Sequence, residues 1–228
     1  MDILDELKNY DAKQKFLTLG KNGSGKSTLT NVAQSRCDEF YKNNSTIGVE
    51  YAVYFALTNN NKKIKVAMWD TCGDKRFVSI IRSYIKSTDA YLLVYDVNDI
   101  DSFNDLDFWI GLIYSINQYK DNQKTNNSSI YLIGTKIDLF DSTNINCVRK
   151  EHIDKFIQKY KLDNKNSYQI NATKFNDVNN IFQIIVNDIY SKTLEKLTLP
   201  KLLNKNLQIV NTNKYKNKFV EKYCCSIL

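Results

Sequence analysis

The sequence predicts an α/β fold: a mostly parallel sheet with helices on both faces and one antiparallel strand. Three observations lead there. Ala90-Tyr91-Leu92-Leu93-Val94-Tyr95 and Ile130-Tyr131-Leu132-Ile133 are continuous apolar runs, as in strands buried on both faces. Segments of helical periodicity alternate with the strands, the pattern of parallel pairs joined by crossovers. The polar turn Asn59-Asn60-Asn61-Lys62-Lys63 lies between two strand-like stretches, residues 49–57 and 64–69, as in a hairpin.

The elements follow in chain order. Residues 16–19 form a short apolar strand ending at Gly20, and residues 27–36 a helix. After the hairpin and the strand at 90–95, a helix over 103–119 places Phe103, Leu106, Trp109, Ile110, Ile113 and Ile116 on one stripe. Residues 151–160 and 178–194 complete the helices. Pro200, the only proline, stands where the composition shifts. The expected organisation is an extension over 1–12, a folded domain over 13–195 and a basic tail over 196–228.

An apolar share of 43% is enough for a buried core. No run of 18 apolar residues exists, so a membrane-spanning helix is not expected. The start, Met1-Asp2-Ile3-Leu4-Asp5-Glu6, is acidic and lacks a secretory signal pattern. Five cysteines without metal-ligand spacing make a poor disulfide framework, which points to a reducing compartment. The sole histidine, His152, belongs to no nucleophile–base constellation.

Gly20-Lys21-Asn22-Gly23-Ser24-Gly25-Lys26-Ser27, followed by Thr28, matches the phosphate-loop pattern between a strand and a helix. Wrapping a phosphate chain in backbone N–H groups needs small residues that tolerate unusual dihedrals. The helix N-terminus adds its dipole. Lys26 supplies a point charge to the phosphates, and the Ser27 hydroxyl suits Mg²⁺. Gly134-Thr135-Lys136-Ile137-Asp138 directly follows a buried strand. A carboxylate at Asp138 can accept from guanine N1–H and its exocyclic amine, a donor pair that adenine lacks. The stem of Lys136 can cover the base face.

With these residues in place, the sequence resembles the Ras superfamily and, within it, the Rab GTPases. Thr46-Ile47-Gly48-Val49-Glu50-Tyr51 is similar to their switch I, and Trp69-Asp70-Thr71-Cys72-Gly73-Asp74-Lys75-Arg76-Phe77 to the strand leading into switch II. Ser83-Tyr84 and Tyr95-Asp96-Val97-Asn98 also resemble Rab segments, and Asn171-Ala172-Thr173 resembles the last guanine loop. The resemblance implies a P-loop NTPase fold with six strands, one antiparallel. It implies GTP and GDP as ligands and Mg²⁺ held by Ser27, Thr46 and, through water, Asp70. Gly73 would meet the γ-phosphate, and Ala172 N–H the guanine carbonyl. Tyr51, Trp69 and Tyr84, with Ile47, would form the surface shown to effectors.

Several positions depart from the family pattern. Asp74 stands where these enzymes carry the glutamine that orients the attacking water. An ionised carboxylate only accepts hydrogen bonds, and it brings negative charge towards the γ-phosphate. Asn22 occupies a position where a side chain crowds the transition state. Slow hydrolysis is therefore expected, with Asp74, Gly73, Lys26 and Thr46 as the catalytic set. Thr135 replaces the usual asparagine, Thr173 the common lysine, and Lys75 an acidic residue.

From Glu195 onward seven lysines face two glutamates, so the tail holds +5 of the chain's net +7. The chain ends Cys224-Cys225-Ser226-Ile227-Leu228, which fits a prenylation signal with doubled cysteine. Lipid plus basic residues gives stable anchoring. The expected place is the cytoplasmic face of an intracellular membrane, with a cytosolic pool. Expected partners are an exchange factor, an activating protein, effectors and the prenylation machinery, with no nucleic acid. Two rival readings exist: a GTP-loaded module that recruits partners without hydrolysis, and a nucleic-acid-associated ATPase supported only by the basic tail.

Overall fold

The computed structural model describes residues 9–35, 46–118 and 129–195. The chain divides into a unit ending at Ile189 and another beginning at Tyr190, and the first contains the sheet. Six strands run in the order β2-β3-β1-β4-β5-β6. β1 (Ala12–Leu19) sits between β3 (Lys63–Thr71) and β4 (Ala90–Asp96), parallel to both. β5 (Ser129–Thr135) and β6 (Ser167–Gln169) extend the parallel part. β2 (Val49–Leu57) pairs antiparallel with β3 and forms the opposite edge. The predicted architecture, including its single antiparallel strand, is the observed one.

Burial explains why these residues choose these elements. Six of the seven residues of β4 and all seven of β5 are buried, which only a strand with helices on both faces allows. β2 alternates instead, with Ala52, Tyr54 and Ala56 buried, as an edge strand covered on one face does. The hairpin closes with Thr58 N donating to Lys62 O at 2.9 Å, and Asn61 takes the left-handed φ of 55° that asparagine tolerates.

Helices α1 (Lys26–Ala33), α2 (Val78–Ile85), α3 (Ile100–Asn104), α4 (Leu106–Gln118), α5 (Lys150–Tyr160) and, up to Ile189, α6 (residues 175–195) cover the sheet. Strand alternation sorts the core into two layers. Leu17, Leu19, Tyr91, Leu93 and Tyr95 point towards Ile81, Ile85, Trp109, Ile113 and Phe156 of α2, α4 and α5. Phe16 points the other way, where its ring lies 6.0 Å from that of Phe182 on α6. Gln14 Nε2 donates to Val186 O at 3.0 Å on that same side.

Two elements were not legible as such. α2 hides inside a switch-like motif, and its apolar stripe of Val78, Ile81 and Ile85 covers only two turns. β6 is the three residues Ser-Tyr-Gln, without an apolar run. The helix expected over 103–119 begins earlier, at Ile100, where Asp99 caps it by accepting from Asp101 N, and it divides at Asp105 into α3 and α4. β1 begins four residues before its apolar run, paired with β3 from Ala12 onward. Parallel β1 and β4 deliver their C-terminal ends to one edge, the place where α/β sheets build ligand crevices.

Candidate functional site

The loop from Gly20 to Gly25 connects β1 to α1 at that edge. Helix α1 begins without a side-chain cap and without an acidic residue in its first turn. Its first N–H groups are thus left for an external anion. Gly25 takes φ 88°, and a Cβ there would lie 2.9 Å from Thr135 Oγ1, so neither the dihedral nor the space admits a side chain. Asn22 and Gly23 are exposed at the loop tip, Thr28 is half-buried, and Gly20 and Ser24 are buried. Ser24 Oγ has no hydrogen-bond partner although it is buried. A buried hydroxyl of this kind is a place for a ligand oxygen.

Lys26 reaches back over the loop and donates to Lys21 O at 2.8 Å. It is 3% exposed and makes no ion pair among the described residues. Burial drives its ammonium down to about 8, against the nearby charge of Asp70. A desolvated cation beside open helix N–H groups suits an anion. Gly73 closes the far wall at φ 74°, where a Cβ would lie 2.6 Å from Lys26 Nζ and 2.3 Å from Gly20 O. This crowding places the Gly73 turn directly over the lysine.

A cluster of hard oxygen donors lies next to it. Ser27 Oγ is 2.5 Å from Asp70 Oδ2 and 2.7 Å from Thr46 Oγ1. Thr46 Oγ1 is 3.5 Å from the same carboxylate oxygen. Burial raises the Asp70 carboxyl, although the Ser27 and Thr18 hydroxyls and the Lys26 charge favour its ionised form. Two hydroxyls and a desolvated carboxylate are the donor chemistry that Mg²⁺ takes. The set fits the ion. Thr18, which the sequence did not single out, donates to Asp70 Oδ1 at 2.8 Å and orients the carboxylate from behind. Cys72 N donates to Gly48 O at 2.9 Å, zipping the stretch after Thr46 onto the end of β3.

The second predicted turn meets the first through one side chain. Thr135 is fully buried, and its Oγ1 donates to Ser24 O (2.8 Å) and lies 3.2 Å from Tyr95 O. The residues after it form a sharp turn, with Lys136 at φ 61° and Asp138 exposed. Lys136 Nζ is held 2.6 Å from Asp96 Oδ2, which stretches its stem across the turn. The third turn packs alongside: Ile170 N donates to Gly134 O at 2.8 Å, and Ile137 N to Ile170 O at 3.4 Å. There Asn171 Oδ1 accepts from Thr173 N and Oγ1, and Ala172 is buried. Three segments far apart in sequence are thereby joined by hydrogen bonds.

Asp74 is engaged by a neighbouring arginine. Its Oδ1 accepts from Arg76 N at 2.9 Å, and its Oδ2 accepts from Arg76 Nε and Nη2 at 2.9 and 2.6 Å. These bonds hold its carboxyl below the usual range. The expected aromatic triad is assembled: the Tyr51 and Trp69 rings are 4.8 Å apart, and Trp69 and Tyr84 4.6 Å. Lys15 lies under it, 5.9 Å from the Trp69 and Tyr84 ring centres, and donates to Tyr84 O at 2.6 Å. Tyr51 is 51% exposed and Ile47 83%, so the triad has an apolar outer face. Cys224 and Cys225 lie outside the described residues.

Thr135 makes the junction testable. Thr135→Val keeps the volume but leaves the Ser24 and Tyr95 carbonyls without that donor. It is expected to cost about 1–3 kcal/mol of stability in chemical unfolding. An unchanged midpoint and slope would show that the hydroxyl does not join the two turns.

The model of the Ras family matches residues 15–191. The chain is 30% identical to Ras-related protein Rab-11B of Dictyostelium discoideum, over 88% of this chain and 86% of that protein. It is 31% identical to Ras-related protein RabT2 of the same organism, with the same coverage of both chains. It is 34% identical to GTP-binding protein YPT1 of Saccharomyces cerevisiae, over 69% of this chain and 74% of that protein. Together with the six-stranded fold, these similarities show that the chain belongs to the Ras family, as a small GTPase of the Rab type.

Proposed function

We propose that this chain is a membrane-anchored switch that binds GTP and GDP, regulates vesicle traffic and hydrolyses GTP slowly. The observation that carries the reading is the buried Thr135 hydroxyl donating to the Ser24 carbonyl. It makes the anion cradle and the Asp138 turn parts of one site. A single ligand that is anionic at one end and offers two parallel donors at the other satisfies both.

Each residue then has a task. Gly20, Asn22, Gly23, Ser24 and Gly25 wrap the phosphates with backbone N–H groups, Lys26 neutralises them, and Thr28 continues the helix start. Ser27, Thr46 and Asp70 hold Mg²⁺, which when bound neutralises charge on the β- and γ-phosphates. Asp138 accepts from the guanine edge, Lys136 covers the ring, and the Asn171–Thr173 turn presents Ala172 N–H to the carbonyl. Thr46 and Gly73 sense the γ-phosphate, so its presence orders both flanking segments and its loss releases them. The triad of Tyr51, Trp69 and Tyr84, with Ile47 beside it, is the face an effector reads. Prenylation at Cys224 and Cys225, helped by the basic tail, provides the membrane attachment.

Turnover follows from Asp74. Its carboxylate accepts three hydrogen bonds from Arg76, which leaves it neither the donor that orients water nor a free base. This also favours a second reading, a GTP-loaded module that recruits partners without hydrolysing. Asp74→Gln is expected to raise single-turnover hydrolysis by on the order of 10²-fold, the worth of one preorganised group. An unchanged rate, with nucleotide still bound, would contradict the Asp74 account. Lys26→Ala is expected to weaken GDP binding about 10²-fold in equilibrium titration. Unchanged affinity would remove the phosphate-loop assignment.

A further inference from the structure

The sheet edge opposite β2 carries a cleft that the function above does not use. It lies between α5 and β6 and measures about 1130 Å³. Its floor is apolar: Val148, Ile153 and Ile157 are buried, and Leu162 is half-buried. A left-handed turn at Lys161, φ 52°, ends α5, and Leu162 N donates to Ile157 O at 3.0 Å. Exposed Arg149, Lys150 and Lys161 line the rim, and none of them makes an ion pair among the described residues. Asp154 is the one carboxylate among the described lining residues, so the rim is net positive.

β6 forms the other wall, and it presents open backbone. Along a strand of a parallel pair, successive residues turn their backbone groups alternately towards the partner and away from it. Ile170 N donates to Gly134 O at 2.8 Å, so Ile170, and Tyr168 two residues before it, face β5. Ser167 and Gln169 therefore turn their N–H and C=O groups outward, at the end of the strand order.

We propose that this cleft is a docking site for an extended acidic peptide segment of another protein. Its backbone adds to β6 through Ser167 and Gln169, its apolar side chains rest on Ile153, Ile157 and Leu162, and its carboxylates meet Arg149, Lys150 and Lys161. Charge selects an anionic occupant, because the rim cations have no partner of their own. The open strand edge selects an extended backbone over a helix. Length agrees: α5 rises about 16 Å from Lys150 to Lys161, the span of about five residues of extended chain. The cleft lies at the opposite sheet edge from Tyr51, so this surface does not rest on the switch reading and is separate from the aromatic triad.

Amide NMR of the isotope-labelled full chain, titrated with a short capped peptide alternating glutamate and valine, tests the site. Saturable shifts are expected at Ser167, at Gln169 and along α5. The exposed pair of substitutions Lys150→Glu and Lys161→Glu should together weaken binding by about tenfold or more. Two further peptides, N-methylated at every valine or at every glutamate, block strand addition without altering the protein. One of the two should bind about tenfold more weakly than the parent peptide. No shift at these residues, equal shifts with a lysine–valine peptide, unchanged affinity in the double variant, or full affinity of both methylated peptides would overturn the proposal. So would phosphatidylserine vesicles binding through Lys150 and Lys161 while the peptide leaves β6 unmoved, which would assign the rim to a membrane. Shifts of the same residues on concentrating the chain alone would assign the cleft to a second copy and overturn it likewise.

Discussion

The hydrogen bond from the Thr135 hydroxyl to the Ser24 carbonyl is the constraint on which the site depends. A phosphate loop by itself grips any polyphosphate, and a carboxylate on a turn by itself reads nothing. Selectivity needs the two held at a fixed distance. Thr135 ends β5 and Ser24 precedes α1, so the bond fastens a strand end to a helix start where both are already set by the core. Being buried, the bond has no competing water, and a broken one leaves a carbonyl unpaired. Gly25 explains how the hydroxyl reaches: with no Cβ, the loop comes within van der Waals contact of Thr135.

A second constraint works on the metal side. Asp70 is fixed by Thr18 from β1 and approached by Ser27 from α1 and Thr46 from the start of the switch segment. Its carboxylate is desolvated, and two hydroxyls and the Lys26 charge do not fully offset that cost. A buried carboxylate and a buried ammonium in one crevice, each pushed towards neutrality and with no ion pair between them, leave complementary charge to be supplied by what binds. A metal–phosphate pair does both. The Thr46 hydroxyl sits at the edge of this cluster, on the segment that Gly48 ties to Cys72.

Much of this was readable from residues. The buried strands at 90–95 and 130–133 announced themselves because strands covered on both faces are apolar throughout. The phosphate loop and the Asp138 turn were readable because their chemistry restricts residue type. α2 and β6 were not, since eight and three residues carry too little periodic signal. The aromatic triad was expected from single positions, and the Tyr51↔Trp69 register between β2 and β3 assembles it. What the sequence could not contain was pairing across distance. Thr18 behind Asp70, Lys15 beneath Trp69, and Asp105 gripping Lys75 are ordinary residues until the fold brings them together. Asp74 shows the limit from the other side: its residue type is legible in the sequence, but its pairing with Arg76 two positions on is not.

The central claim is that one crevice holds a polyphosphate and reads a guanine. Denaturing freshly purified protein and identifying the released small molecule by chromatography measures this directly. GDP or GTP in a ratio near one per chain is the expected result, with excess GDP and not ADP displacing it during exchange. Release of no nucleotide, together with a failure of added GDP to protect the chain from thermal unfolding, would contradict the account.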